Sequence, residues 1–508
     1  MKKKTIWTII SVIVLILQIA TEVLTAAVVQ RLDVLPGKYV AVLYAVLTLL
    51  ALLTALLLFV RGKKPVSMAR RVVGCVLALL IICGCAVAAK VAGEAYQTIH
   101  TVTNNQEPTS IRNMYVFVRT DDPAQRVEDT ADYAYAIVAD YDEEHTQKAI
   151  EIISELTGKA LDVSQVETTS DLADKLLAEE VDAVLLNGAA VTLLMEEEAY
   201  EDFTEKARIL YTMSMSELED PVPTTEPVET QPQTTEDLDI TEKPFVVYIS
   251  GSDTRSSKLL VSRSDVNILV VVNPVTKQIL MINTPRDYYV PNPAGNGKMD
   301  KLTHCGLYGA DCSMQALGQL YDLEIDYYAQ INFTGFETLV DAVGGVTVYS
   351  EQSFKAGDVY IQKGENHLNG SQALNFARDR YHVTGGDNGR GKNQMKVIKA
   401  IIEKMTTGTT VISRYSEIMA SLGGMFKTSI EMENVSKLVK MQLDDMASWN
   451  IQSVAVTGTG GSEKTYSAPG VYAYVMHMNE ASVKHAGDLA DRVIAGETLK
   501  EEDMQLPK

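Results

Sequence analysis

Histidine, cysteine and tryptophan are scarce in this chain, at 7, 5 and 2 of 508 residues. No spacing of histidines and cysteines sets up a zinc-type cluster, which removes the common zinc chemistries. Three of the five cysteines, Cys75, Cys83 and Cys85, fall in an apolar run. Outside that run only Cys305 and Cys312 remain, and a disulfide between them and two thiols are both open readings. Basic charge is also short: after residue 92 there are 34 lysines and arginines against 64 aspartates and glutamates. A surface of that sign does not neutralise a phosphate backbone, so nonspecific nucleic-acid binding is excluded.

What the first 92 residues lack is charge. Residues 6–29 carry one acid, Glu22, while residues 39–60 and 72–89 carry none. Each run is long enough for the roughly 30 Å hydrocarbon core, which takes about 20 apolar residues in a helix. A cleaved signal peptide does not account for the first run, since no small-residue cleavage site follows it and two more runs come at once. Glu22 is expected near the outer membrane face. Lys2, Lys3 and Lys4 precede the first span, and Arg61, Lys63, Lys64, Arg70 and Arg71 lie between the second and third. Positive loops stay cytoplasmic, so three spans put the N-terminus inside and everything after Lys90 outside.

The expected architecture is α/β. Residues 1–92 form three transmembrane helices and residues 110–216 a small α/β accessory domain. Residues 217–243 form an extended linker rich in proline, threonine and acids, too poor in apolar residues to fold alone. Residues 244–497 form a larger α/β domain, and 498–508 a tail. In the accessory region four β-rich runs, MYVFVRT, YAYAIVAD, VDAVLLN and RILYTMSM, alternate with helical patterns. It has no cluster of histidine, cysteine or arginine and no glycine loop before a helix, so it carries no catalytic signal. In the larger domain FVVYISGSD, VNILVVVNP and QILMINTPRD read as buried strands. Helical patterns follow at residues 313–321, 334–342, 372–376 and 394–405.

The chemistry gathers at the ends of those apolar segments, where α/β sheets hold ligands. There stand Asp253 and Arg255 (GSDTR), Arg263 and Asp265 (SRSD), Arg286 and Asp287 (TPRDYYV) and Lys301 (DKLTH). Further on come Arg378 and Arg380 (FARDRY), then Asp387, Arg390, Lys392 and Gln394 (GDNGRGKNQ). Singly, an exposed ion pair contributes only about 0–1 kcal/mol; jointly, so many arginines in an acidic chain point to a polyanion, whose oxygens suit the guanidinium fork. Arg263 with Asp265, and Arg378 with Arg380, are two apart and share a face if extended. Asp253 and Asp265 could hold a hard cation such as Mg²⁺ alongside phosphate oxygens. The GDNGRGK segment has the spacing of a nucleotide-binding loop, but Asn393 replaces the required Ser or Thr.

In this order the motifs, together with DAVGGVTV and LNGSQALNFARDR, resemble the LytR-CpsA-Psr family. The resemblance covers residues 244–458 and extends to about 496. Three spans and an accessory domain look like its CpsA-type, capsule-associated members. It implies a central mixed sheet, an apolar pocket for a polyprenyl chain, and phosphoryl transfer of a glycopolymer from undecaprenyl pyrophosphate to a peptidoglycan hydroxyl. The expected glycopolymer is capsular polysaccharide, teichoic acid or similar. Carried over by matching motif, Asp253, Arg263, Asp265, Arg378 and Arg380 are catalytic. Arg286, Arg390 and Gln394 bind pyrophosphate, and Asp253 and Asp265 ligate Mg²⁺; Arg255 and Lys301 join the pyrophosphate set from the charge pattern alone. The family's R-Q-Q run reads Lys392, Asn393, Gln394 here. Implied partners are the lipid-linked glycan, peptidoglycan, the cell membrane and capsule-assembly proteins. The competing readings are a membrane scaffold or regulator of wall assembly and a polyprenyl pyrophosphatase. Asp287 and Asp387 are the positions from which a base could act.

Overall fold

The computed structural model describes residues 2–60, 66–104, 113–215, 239–252, 262–407, 414, 417–418 and 425–505. Most of the linker read over 217–243, and the first motif with Asp253 and Arg255, lie outside the described residues.

Three long helices open the chain: α1 (Lys2–Leu32), α2 (Gly37–Phe59) and α3 (Met68–Asn104). All three are long and apolar enough to cross a membrane. α3 has 37 residues, about 55 Å at 1.5 Å per residue, so it continues well past the stretch 72–89 taken as the span. Thr25 on α1 donates to the Cys85 carbonyl on α3 at 2.9 Å. Glu22 is buried within the described helices and accepts a 2.8 Å bond from Gln18, one turn before it.

The first sheet comprises β1 (Asn113–Arg119), β2 (Ala134–Val138), β3 (Asp162–Val166), β4 (Ala183–Asn187) and β5 (Ala207–Ser214), in the order β3-β2-β4-β1-β5. β2 runs parallel to β3 and β4, and β1 antiparallel to β4 and β5. Four of these strands were legible as apolar runs. β3, with sequence DVSQV, has too few apolar residues to announce itself and is an edge strand held by pairing.

The second sheet is mixed. β6 (Phe245–Ser252), β7 (Val266–Asn273) and β8 (Gln278–Asn283) are antiparallel neighbours. Strand Tyr327–Asn332 runs parallel to β6 and Asn450–Ala455 parallel to β8, while Phe426–Thr428 closes the edge beside Tyr327–Asn332. Alternate residues of β6 and β7 serve two cores, as the period of two requires. Val246, Tyr248, Leu269 and Val271 join one cluster, with Leu317 and Leu489 from helices Ala310–Tyr321 and Glu480–Ile494. Phe245, Val247, Val270 and Val272 join another, with Met395 from helix Asp387–Thr406. With both faces covered the central strands keep their polar residues toward the ends, which is why their middles read as apolar runs. The first of those cores also contains Phe117, Leu172 and Leu186, so the two sheets share one core.

Candidate functional site

At one edge of the second sheet the C-termini of β6, β8 and Tyr327–Asn332 meet the N-terminus of β7. Ser264, 1% exposed, fixes the chain entering β7. Its hydroxyl lies 2.9 Å from those of Tyr248 and Ser250, and its amide donates to the Thr303 carbonyl at 3.1 Å. With Ser264 held inward, its neighbours Arg263 and Asp265 stand at the edge. Across from them, Pro285 follows the end of β8 and directs Arg286 to the same edge.

Arg286 binds Asp265 at 2.5 Å and lies 3.7 Å from Asp287. Burial works against its charge, but Asp265 and Asp287 outweigh burial and hold its pKa above the usual value. Arg390, 8% exposed, binds Asp387 at 2.6 Å. Burial lowers the Arg390 pKa despite Asp387, and burial likewise raises that of Asp387. The Nε atoms of both arginines are buried without a hydrogen-bond partner. A buried donor left unmade costs about 1–3 kcal/mol, a cost the fold accepts at two arginines whose side chains line one cavity.

The remaining arginines come from the helical side. Arg378 is the last residue of helix Gly370–Arg378 and lies with its guanidinium 4.2 Å from the centre of the Phe333 ring. Asp379 is the extended cap that follows it, and Arg380 donates to the Tyr381 hydroxyl at 2.7 Å. Arg378 and Arg380 are thus not two positions on an extended strand, as their spacing suggested: they straddle a helix end. The helix expected over 394–405 begins earlier, at Asp387, so Arg390 sits in its first turn. Gly386 precedes it at φ +57°, and the loop-like GDNGRGK is mostly helix.

These elements surround a cavity of about 410 Å³ lined by Arg263, Asp265, Arg286, Arg378, Arg380, Arg390 and Gln394, with Asn375 and Tyr381 at its wall. Five of the arginines singled out in the sequence therefore meet in one place. Lys301 does not join them: it binds Asp287 at 3.2 Å and is absent from the lining. Lys392 is exposed on the helix. Val266, Phe333, Arg378 and Gln394 are shared with a second cavity of about 310 Å³, whose other walls include Val247, Val270, Leu339 and Ile398. A cationic chamber opens onto an apolar one. Neither Asp287 nor Asp387 lines the cationic chamber, each being engaged by a basic partner. Among the described residues no group of three or more histidine, cysteine, aspartate or glutamate side chains is placed to hold a metal.

Cys305 and Cys312 are not disulfide-linked. Both are buried, and the contact between them, with burial, pushes the Cys305 thiol well up. Sequence reasoning missed Glu196, whose carboxylate reaches from the first sheet's side to Arg263 at 2.9 Å. Nothing in its local sequence marked it, because the contact joins residues 67 positions apart in chains of different sheets. It also passed over His304, which binds the fully buried Asp300 at 2.6 Å.

Three helices long and apolar enough to cross a membrane, a mixed α/β sheet and an arginine chamber beside an apolar one are the features that place the chain in a class. The sequence model of the LytR-CpsA-Psr family matches residues 211–486, more than half the chain, and the chain belongs to that family. It is 35% identical over 199 residues to the polyisoprenyl-teichoic acid–peptidoglycan teichoic acid transferase TagU of Enterococcus faecalis, covering 39% of this chain and 65% of that protein. With the protein of the same name from Bacillus cereus the identity is 31% over 242 residues, 47% of this chain and 76% of the relative. The crystal structure of Bacillus subtilis TagV superposes with a TM-score of 0.42 at 24% identity, over 51% of this chain and 99% of that one.

Proposed function

We propose that the protein is a membrane-held transferase that moves a glycopolymer of teichoic acid or capsular type from a polyprenyl pyrophosphate carrier to peptidoglycan. The observation that carries this reading is the junction of the arginine chamber with the apolar one, which matches a molecule that is pyrophosphate at one point and hydrocarbon beyond it. The names of the TagU relatives point the same way.

Phosphoryl transfer needs positioning and charge neutralisation more than covalent chemistry. Arg263, Arg286, Arg378, Arg380 and Arg390 bind the pyrophosphate oxygens from the walls of the cationic chamber. Gln394 and Arg378, common to both chambers, hold the point where phosphate gives way to prenyl. The acceptor hydroxyl oxygen bonds to the glycan-side phosphorus, the bond to the carrier phosphate breaks, polyprenyl phosphate leaves with the electron pair, and the hydroxyl proton passes to the departing phosphate or to water. Asp265, which accepts from Arg286 through one carboxylate oxygen, would hold Mg²⁺ together with Asp253. When bound, Mg²⁺ neutralises charge on the leaving phosphate. The positive loops favour a cytoplasmic N-terminus and sheets outside the cytoplasm, where peptidoglycan is found. Capsule-assembly proteins are the further partners this placement makes available.

The test is mass spectrometry of the full chain extracted from bacterial membranes, joined to a transfer assay with lipid-linked glycan and peptidoglycan. Co-purified polyprenyl phosphate or pyrophosphate that is lost in Arg378→Ala/Arg380→Ala, with glycan appearing on the wall, supports the transferase. Glycan released to water identifies a pyrophosphatase instead. Folded protein with neither lipid nor transfer, even with added Mg²⁺, overturns the reading in favour of a scaffold.

A further inference from the structure

The first sheet carries no catalytic signal of its own, yet one of its side chains ends on a catalytic arginine. We propose that Glu196 is a positioning residue for Arg263: the accessory sheet completes the transferase site by holding that guanidinium from behind. The inference rests on the transferase reading and adds a role for the accessory sheet within it.

Glu196 Oε2 meets Arg263 Nη2 at 2.9 Å, and both side chains are about one third exposed or less. Arg263 lines the cationic cavity and Glu196 does not, so the carboxylate takes one edge of the fork and leaves the rest facing the anion. An arginine has five donors in a fixed plane; fixing one nitrogen orients the others. A long side chain that must otherwise be ordered by substrate loses that entropy at binding, and prior anchoring removes the loss.

The anchor is itself rigid. Met195 packs against the core shared by the two sheets, and the amides of Glu196 and Glu197 donate to Leu193 and Leu194 at 3.2 and 3.1 Å, closing helix Gly188–Leu194. Glu197 accepts from Ser170 at 3.0 Å. Between the sheets Tyr141 lies 3.3 Å from the Tyr308 hydroxyl, and its ring lies 5.2 Å from that of Tyr466. Gly470 comes so near Thr168 that a Cβ would stand 2.6 Å from its Cγ2. On the other side the buried Ser264 fixes the backbone next to Arg263. The backbone at both ends of the ion pair is therefore held before any substrate arrives.

The experiment is steady-state transfer by the full chain in detergent or vesicles, with lipid-linked glycan varied, for wild type, Glu196→Ala, Glu196→Gln, Arg263→Ala and the double variant Glu196→Ala/Arg263→Ala. Glu196→Ala is expected to raise KM for the lipid-linked glycan about tenfold, with a smaller effect on kcat, as loss of one oriented guanidinium contact predicts. Glu196→Gln keeps an acceptor for Arg263 and recovers most of that loss. In the Arg263→Ala background, Glu196→Ala has less than about a twofold further effect, because its influence passes through Arg263. Equal losses in both backgrounds, or no change in KM for Glu196→Ala, overturn the proposal. A wild type without transfer, or an Arg263→Ala that transfers normally, strikes instead at the function or at the site.

Discussion

Arg286 and Arg390 are costly residues that the fold retains. Each is largely buried, each has a carboxylate on one side, and each has an Nε with no hydrogen-bond partner. Removing one side chain leaves a carboxylate behind, which makes the loss larger than that of a contact. Arg286→Ala and Arg390→Ala are expected to lower kcat/KM about 10²–10³-fold, the usual effect of losing one charge-stabilising group. They also lower stability by about 1–3 kcal/mol, since Asp265 or Asp387 is left without its cation. The checks are transfer kinetics and thermal midpoints in detergent.

Two other carboxylates give acid behaviour of opposite sign. Burial alone would raise the pKa of Asp300, but His304, Ser467 and Asn292 outweigh burial and hold it below the usual value. Its contribution is present above the unfolded value, about 3.9, and is lost as pH falls through the folded one. Asp387 is raised by burial, so its charge opposes folding at neutral pH and that opposition fades on acidification. Asp300→Asn is therefore expected to destabilise the chain at pH 7, by about 1–3 kcal/mol, and the gap to wild type should close below about pH 4. Thermal midpoints across pH 3–7 measure it; a gap independent of pH would refute the assignment to this carboxylate.

At the scale of elements, helix Asp387–Thr406 decides where Arg390 stands, and Gly391 decides how near the helix comes to the sheet. A Cβ on Gly391 would lie 2.2 Å from Asn283 Nδ2 at the end of β8, and Asn283 is 4% exposed with little room to yield. Alanine would otherwise favour a helix interior by about 1 kcal/mol, but overpacking costs about 1–3 kcal/mol or more. Gly391→Ala should lower the thermal midpoint and, by shifting Arg390 from the cavity, lower transfer further than the stability loss explains. Normal kinetics would show that the helix can move without moving the site.

These elements also mark what the sequence could reveal. β6, β7 and β8 were readable because strands covered on both faces keep a continuous apolar run and confine polar residues toward their ends. The early start of helix Asp387–Thr406 was hidden by Gly389 and Gly391, poor helix formers that serve close packing instead, and by Gly386, which precedes the helix at positive φ. The arginines could be named because anion binding draws on few residue types. Their meeting in one cavity, the exclusion of Lys301 from it and the contact of Glu196 depend on tertiary placement, which local pattern does not encode. Asp253 and Arg255 keep only their sequence assignment, lying outside the described residues.

For the molecule as a whole, the question is whether the accessory sheet is a separate bead on a linker or part of one folding unit. A proline- and acid-rich segment between the sheets suggests the former, since such segments usually join independent domains. The packing argues for the latter. Phe117, Leu172 and Leu186 share a core with Tyr248, Leu302 and Leu317. A polar chain crosses beside it, from Asp300 to Ser467 at 2.5 Å, Ser467 to Tyr308 at 3.0 Å, and Tyr141 to Asn187 at 2.9 Å. Cutting the sheets apart would leave Tyr308 and Tyr466 with polar and apolar partners missing at once. The two sheets are accordingly expected to unfold in a single transition, and Tyr308→Ala, which removes about 3–5 kcal/mol by analogy with other buried aromatics, should destabilise both together. Hydrogen exchange followed separately over residues 113–215 and 239–505 measures this. Coincident loss of protection would establish one unit; protection lost only in the first sheet would make it a dispensable appendage and weaken the case that it positions Arg263.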